Sequence, residues 1–231
     1  MVRDEDVETQ KGNHPRMSRN TPLKPWRVLA SAITYEDRWL RVRSDDCVTA
    51  SGTRINPYHV IEYADWVNVV ALTGPDLQLV LVKEYRHGRA EIFTGLVSGT
   101  VEPSDTQNGI DSAETAARRE LLEETGYRGG RFDRVLCSYP NPANHSNRVT
   151  SFLALGVECG DRRSLDDNEE IDVILDDLPS VLLRLRSGEL RMQAMHVAAI
   201  WSAAAQIMAS HEAPGAVMPL RARLQKAVAP A

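Results

Sequence analysis

The segment SAETAARRELLEETGYRGG, residues 112–130, decides how this chain is read. It predicts a helix over Ser112–Thr125, opened by Asp111 or Ser112, whose short side-chain oxygens suit the free N–H groups of a first turn. Gly126 closes it, because the residue after a helix often turns left-handed and favours glycine. Four glutamates lie in the stretch: Glu114, Glu120, Glu123 and Glu124. With Ala117 at about 0° and a step of about 100° per residue, Glu123, Glu120 and Glu124 fall at about 240°, about 300° and about 340°. Three carboxylates therefore share one face.

The ordinary reading of such a helix is a solvated surface laced with Arg118 and Arg119, since glutamate is a good helix former. Two features count against it. Ala113 and Leu121 fall at about 320° and about 40°, so Glu124 lies inside the apolar stripe of Ala113, Ala117 and Leu121. A carboxylate there is either desolvated at a cost or paired with a cation. Like charges three and four residues apart also repel. A divalent cation answers both problems, and clustered carboxylate oxygens suit Mg²⁺ or Mn²⁺, hard ions that prefer oxygen.

Away from this helix the chain alternates without a regular βαβ rhythm. Short strands are expected at Trp26–Ile33, Trp39–Ser44 and Cys47–Thr49, with Ser51-Gly52 and Asn56-Pro57 as turn signals. Val67–Leu72 and Leu77–Glu84 read as a hairpin across Thr73-Gly74-Pro75-Asp76. Strands follow at Phe132–Ser138, Arg148–Val157 and Asp172–Leu175, then helices at Leu178–Arg186 and Gln193–Ile207. The order implies an α+β layered fold. Residues 1–24 are polar and read as a disordered tail, 25–65 as a small antiparallel β domain and 66–210 as the main domain. Residues 211–231, rich in Ala and Pro, read as a flexible end.

Bulk numbers exclude several function classes. With 27 Lys+Arg against 32 Asp+Glu and a net charge of −5, the chain lacks the basic surplus of a dedicated nucleic-acid binder. MVRDEDVETQ has neither the basic nor the apolar region of a signal peptide. Met195–Ala209, the most apolar stretch, is interrupted by His196, Ser202 and Gln206 and is too short to span a bilayer. Cys47, Cys137 and Cys159 are odd in number and widely spaced, which argues against a disulfide framework or zinc site. A reduced, cytoplasmic, soluble protein is expected.

Arg119-Glu120-Leu121-Leu122-Glu123-Glu124-Thr125-Gly126-Tyr127 resembles the second half of the Nudix box, G-x5-E-x7-R-E-U-x-E-E-x-G-U, where U is bulky and apolar. The first half departs from it. Counting back from Arg119 reaches Asp111, and counting forward from Gly99 reaches Asp105, so a six-residue insertion within Asp105–Asp111 is inferred. KEYRHGRAEIFTGLVSGTVEP, residues 83–103, is similar to the segment before the box in enzymes cleaving ADP-ribose and related nucleoside diphosphate sugars. There Tyr85-Arg86 match a Tyr-Arg pair, and Gly95–Gly99 occupy an E-L-P-A/G-G motif.

The resemblance implies a Nudix-type α/β/α sandwich with a mixed sheet and a homodimer joined through the N-terminal sheet. It implies that Glu120, Glu123, Glu124 and the Ser98 carbonyl hold Mg²⁺ or Mn²⁺. It makes Arg86 a phosphate contact, Arg119 an orienter of the glutamates, and Glu169, with Glu170 in reserve, the acceptor of the attacking water's proton. Trp26, Trp39 and Trp66 are candidates to stack a nucleobase, with core packing as the alternative. His87 and His145 stand near turns and His196 reads as a core or interface histidine. Gly95 replaces the motif's usual glutamate and Val97 its proline. The activity implied is hydrolysis of a nucleoside diphosphate sugar; the alternatives are GDP-mannose or another sugar nucleotide, or a weakened module that senses a nucleotide metabolite. The intact glutamates favour an enzyme, while Gly95 and the insertion favour a sensor.

Overall fold

The computed structural model describes residues 23–106, 111–160, 170–210 and 217–229. Three strands come first: β1 (Arg27–Glu36), β2 (Arg41–Val48) and β3 (Arg54–Glu62), forming an antiparallel sheet in the order β1-β2-β3. The two short strands expected at Trp39–Ser44 and Cys47–Thr49 are one. Its acidic centre stays in the sheet because Asp45 accepts from Ser31 Oγ at 2.6 Å and Asp46 pairs with Arg54. Asn56-Pro57 lies inside β3 rather than in a turn. β3 is an edge strand, where a missing N–H donor is tolerated. The described residues up to Ala32 with Ser44–Tyr58 make one compact unit, and Ile33–Arg43 with the described residues from His59 onward make the other.

The larger unit is built on a seven-stranded mixed sheet. Its strands are β4 (Trp66–Thr73), β5 (Leu79–Arg86), β6 (Glu91–Gly95), β7 (Val97–Thr100), β8 (Tyr127–Ser138), β9 (Val149–Cys159) and β10 (Ile171–Asp176). The main path runs β10-β5-β4-β9-β8, with β4 and β9 parallel. β4 pairs with β5 only at Ala71 and Leu72, next to the hairpin turn. Beyond that point the two strands separate, and the chain fills the fork: β6 pairs with β5 and β7 pairs with β4. These two short strands were not foreseen, because RAEIFTGLVSGT lacks a clean alternation and carries two glycines.

Helices α1 (Ser112–Thr125), α2 (Leu178–Ser187), α3 (Ala194–Ala209) and α4 (Val217–Val228) cover the sheet. The apolar run of β4 serves both faces, as expected of a central strand. Val67, Val69 and Ala71 pack with Ala113, Ala116, Ala117 and Leu121 of α1. Val70 and Leu72 pack with α2, α3 and α4. This is the α/β/α sandwich. The flexible end expected over 211–231 is corrected at 217–228. There Leu220, Leu224 and Ala227 recur on one face of α4 and are buried against α2 and α3. Alanine and proline masked that helical spacing. Among the described residues, no helix is long and apolar enough to cross a membrane.

Candidate active site

α1 begins at Asp111, whose carboxylate accepts from the Ala113 N–H at 3.1 Å, and ends at Gly126 with a φ of 74°. The four-glutamate helix is thus fixed at both ends, and its second half brings Glu120 against Gly99 of β7. Glu120 and Glu124 are buried, at 9% and 6% exposure. A β-carbon on Gly99 would overlap the Glu120 carboxylate, so glycine is what lets that carboxylate lie against the Ser98-Gly99 backbone.

Arg119 organises the carboxylates. Its Nη1 donates to Glu120 Oε1 and to Glu123 Oε2, both at 2.9 Å. Nε and Nη2 make a forked pair with Asp105 at 3.1 Å each, and Nη2 also donates to the Thr100 carbonyl at 2.9 Å. A guanidinium has five N–H groups, and five bonds are made. No donor is left for another molecule, so Arg119 acts by holding α1, β7 and the Pro103–Asp105 turn together. Burial works against its charge. The bonds to Asp105 and Glu123 and the charges of Glu120 and Asp105 outweigh it and raise its basicity.

Asp105 is the residue that sequence reasoning undervalued. It stands six positions after Gly99 and had been counted only as a departure from the box. It is 3% exposed, and its Oδ2 also accepts from the Glu102 N–H at 2.8 Å. Burial pushes this carboxyl up, but Arg119 and the Glu102 N–H together hold it below the ordinary carboxylate range. The two counts in the sequence therefore have two meanings: Asp105 pairs with Arg119, and Asp111 caps α1. The signal was the Gly99-to-Asp105 spacing itself, with aspartate's shorter reach in place of glutamate's. Residues 107–110 of the insertion lie outside the described residues.

Beside this hub is a cavity of about 160 Å³, lined by Trp66, Val67, Arg86, Ser98, Gly99, Thr100, Gln193 and Met195. Arg86 and Ser98 thus meet in one place, although 12 positions apart in sequence, because β5 borders the fork and β7 lies within it. Arg86 is also paired with Glu84. The glutamates of α1 do not line the cavity; they reach the same backbone, Ser98–Thr100, through Gly99 and Arg119. Trp66 lines it and packs against Tyr63, with centroids 5.3 Å apart, and edge-on to His145. Trp39 is 62% exposed under the Arg38 guanidinium, and Trp26 packs edge-on against Tyr58 in the smaller unit. Glu169 lies outside the described residues; Glu170 is exposed just before β10.

Gly95 is buried at the end of β6, and a β-carbon on it would stand 2.9 Å from His196 Nδ1. The room that a larger residue needs at this position is taken by a ring from α3. The imidazole accepts from the Leu96 N–H at 3.3 Å. Burial, with the nearby charge of Arg86, lowers its pKa to about 3, so it is neutral.

The NUDIX domain model matches residues 63–193, more than half of the chain. The chain belongs to the Nudix family. A second model, the nucleoside diphosphate sugar hydrolase N-terminal domain, matches residues 26–61. An ADP-ribose pyrophosphatase of Bacillus subtilis is 26% identical over 131 residues, covering 56% of this chain and 67% of its own. A Caenorhabditis elegans protein provisionally named nudix hydrolase 2 is 25% identical over 166 residues, 65% of this chain and 72% of its own. A crystal structure of an ADP compounds hydrolase superposes with a TM-score of 0.69 at 20% identity, over 83% of this chain and 99% of that one, a likeness of fold. The protein is a Nudix hydrolase.

Nudix hydrolases generally use divalent metals. Among the described residues, no three His, Cys, Asp or Glu side chains already converge as a ligand set, since Arg119 spans Glu120 and Glu123. The donors nevertheless fit a hard cation: carboxylates on one helix face, a main-chain carbonyl at Ser98, and the glycine cradle that seats Glu120 beside it.

Proposed function

We propose that this Nudix hydrolase cleaves the diphosphate of an ADP-ribose-like nucleoside diphosphate sugar, giving a nucleoside monophosphate and a sugar phosphate. The observation that carries this reading is the meeting of two chemistries on one stretch of backbone. The Glu120 carboxylate lies against Gly99 and Arg119 bonds the Thr100 carbonyl, while Ser98, Gly99 and Thr100 line, with Arg86, one cavity. Glu120, Glu123, Glu124 and the Ser98 carbonyl would hold Mg²⁺ or Mn²⁺, and Glu123 is the most exposed of the three glutamates. A bound divalent cation would offset the charge of the diphosphate and polarise the attacking water. Arg86, permanently charged and planar, holds a phosphate oxygen. Water's oxygen bonds to one phosphorus, the bridging P–O bond breaks, and the water's proton passes to Glu169 or Glu170. Trp66, which lines the cavity, offers a face for a nucleobase.

β1 supports the proposed homodimer. All ten of its residues are exposed, and Val28, Leu29, Ile33 and Tyr35 are apolar or aromatic. A contiguous apolar edge of this kind marks an interaction surface.

The test is product chromatography with a panel of nucleoside diphosphate sugars, including ADP-ribose and GDP-mannose, in Mg²⁺ and in Mn²⁺. ADP-ribose turnover that vanishes with chelator is expected. Tight nucleotide binding without hydrolysis of any member would overturn the enzymatic reading in favour of a sensor. Wild-type turnover in both Glu169→Gln and Glu170→Gln would remove the proton-acceptor assignment.

A further inference from the structure

The fork between β4 and β5 creates a specific problem at residue 96. The chain leaves β6, which is bonded to β5, at Gly95 and joins β7, which is bonded to β4, at Val97. Leu96 sits between the two ladders and is fully buried. A buried backbone N–H without an acceptor is costly, on the order of 1–3 kcal/mol. The acceptor comes from α3, 100 positions later: Nδ1 of His196. His196 is 1% exposed, and the approach of its ring is possible only because Gly95 has no side chain.

The ring is used at one nitrogen. Nδ1 accepts, so the proton is on Nε2, and Nε2 is buried without a hydrogen-bond partner among the described residues. A phenylalanine would fill the same space without burying that donor, but would leave the Leu96 N–H without an acceptor. The price of an unpaired Nε2–H is set against the position of the chain at the fork.

That position matters for the site. Two residues after Leu96 comes Ser98, which lines the cavity; Gly99 follows, against Glu120, and then Thr100, whose carbonyl takes Arg119 Nη2. We propose that His196 is a positioning residue: with Gly95 it forms a latch between α3 and the β6–β7 junction that sets the Ser98–Thr100 backbone against the carboxylates of α1. The latch replaces a side chain at position 95 with a neutral ring delivered from the opposite face of the sheet. Its consequence for metal affinity rests on the reading given under Proposed function; the latch itself does not.

The experiment compares His196→Ala, His196→Asn, Gly95→Ala and Ile200→Ala with the wild type. Ile200 is a buried residue one turn further along α3 and serves as the packing control. Two readouts are needed: hydrogen exchange at the Leu96 amide, and Mn²⁺ binding by calorimetry. In His196→Ala the Leu96 amide loses protection and Mn²⁺ affinity falls about tenfold, as for other residues that orient a ligand set. Asparagine keeps an acceptor near the Nδ1 position, so His196→Asn retains most of both. Gly95→Ala displaces the ring and behaves like His196→Ala. Ile200→Ala lowers Tm while leaving Mn²⁺ affinity unchanged. Unchanged Leu96 protection in folded His196→Ala overturns the latch, as does an Asn variant that is no better than the Ala variant. If His196→Ala does not fold, the Asn and Gly95→Ala variants decide in the same way. Absence of Mn²⁺ binding by the wild type overturns the metal reading, and Leu96 exchange then decides the latch by itself.

Discussion

α1 and α3 lie on opposite faces of one sheet, are nearly equal in length, and are built on opposite plans. α1 has 14 residues, most of them charged or small, and its apolar core contact is made by Ala113, Ala116, Ala117 and Leu121. α3 has 16 residues, mostly apolar, and buries Ala199, Ile200, Ala203, Ala204 and Ile207. α1 contributes charge: Arg119 bonds Glu120 and Glu123, and the Glu120 carboxylate lies against Gly99 of β7. α3 contributes one neutral acceptor in an apolar wall. Chemistry written in charge is therefore concentrated on the helix with the thinner core contact, while the thicker core contact positions the backbone between them.

The contrast breaks most readily on α1. Glu123→Gln and Glu124→Gln preserve shape and hydrogen-bonding capacity but remove the charge that holds a cation. Turnover is expected to fall by about 10³-fold, equivalent to ~4 kcal/mol of transition-state stabilisation. Far-UV circular dichroism is expected to be unchanged. Wild-type-like turnover in both variants would show that these carboxylates are not ligands.

Next in size is the hub itself. Arg119→Ala leaves Asp105 buried without its cation, and such losses cost about 3–5 kcal/mol. Urea denaturation would measure it, and Asp105→Asn/Arg119→Ala is expected to recover part of the loss because the stranded charge is gone. The carboxyl of Asp105 is held below its ordinary value in the folded protein, so its contribution is present above the unfolded pKa and is lost as pH falls through the folded one. Equal stability of Arg119→Ala and wild type would show that the forked pair contributes nothing.

These two helices also explain what could be read in advance. The α1 face was legible because charge at spacings of three and four is rare in an apolar stripe, and the projection placed Glu124 there before any contact was known. The α+β layering followed from the order of elements, and the sandwich from the resemblance of the Arg119–Tyr127 segment. β6 and β7 were not legible, since they exist only because β4 and β5 part beyond the Ala71–Val80 pair, a tertiary event with no local signature. Nor was the Gly95–His196 contact: a glycine and a histidine 100 positions apart are each ordinary, and only the fork makes them a pair. Asp105 was visible but uninterpretable until Arg119 was seen to reach it. The α4 helix was hidden by composition, its apolar residues being spaced for a helix but diluted with alanine.

On α3 the expected effect is smaller and depends on pH. His196 is buried as the neutral ring, with its pKa lowered to about 3, whereas the unfolded ring protonates below the ordinary value of 6.5. A depressed pKa on a base means that the unfolded state binds the proton first. The stabilisation is therefore full above about pH 6.5 and is lost as pH falls. Between about pH 6.5 and pH 5 the loss is roughly 2 kcal/mol, at ~1.4 kcal/mol per unit. Denaturant titrations of wild type and His196→Asn across this window check it. The two stability curves are expected to run parallel above pH 7 and to diverge as pH falls below about 6.5. Parallel curves throughout would mean that the ring is protonated or solvated in the folded protein.

The smallest effect returns to α1 and separates two adjacent residues. Arg118 pairs with Glu114 one turn back at 2.8 Å and lies over the Phe132 ring, 4.0 Å from its centroid. It is nearly twice as exposed as Arg119, and its partner Glu114 is far more exposed than Asp105. Exposed helix pairs contribute about 0.3–0.5 kcal/mol, and an exposed cation–π contact about 0.5–1 kcal/mol. Arg118→Ala is therefore expected to cost roughly 1 kcal/mol at low salt, to shrink further at high ionic strength as the pair is screened, and to leave turnover unchanged. The neighbouring Arg119→Ala loss, made in a buried network, is expected to persist in salt. If the two alanine variants respond alike to salt, the distinction between the outer and inner faces of this helix is wrong, and the Arg119 bonds are surface bonds in solution.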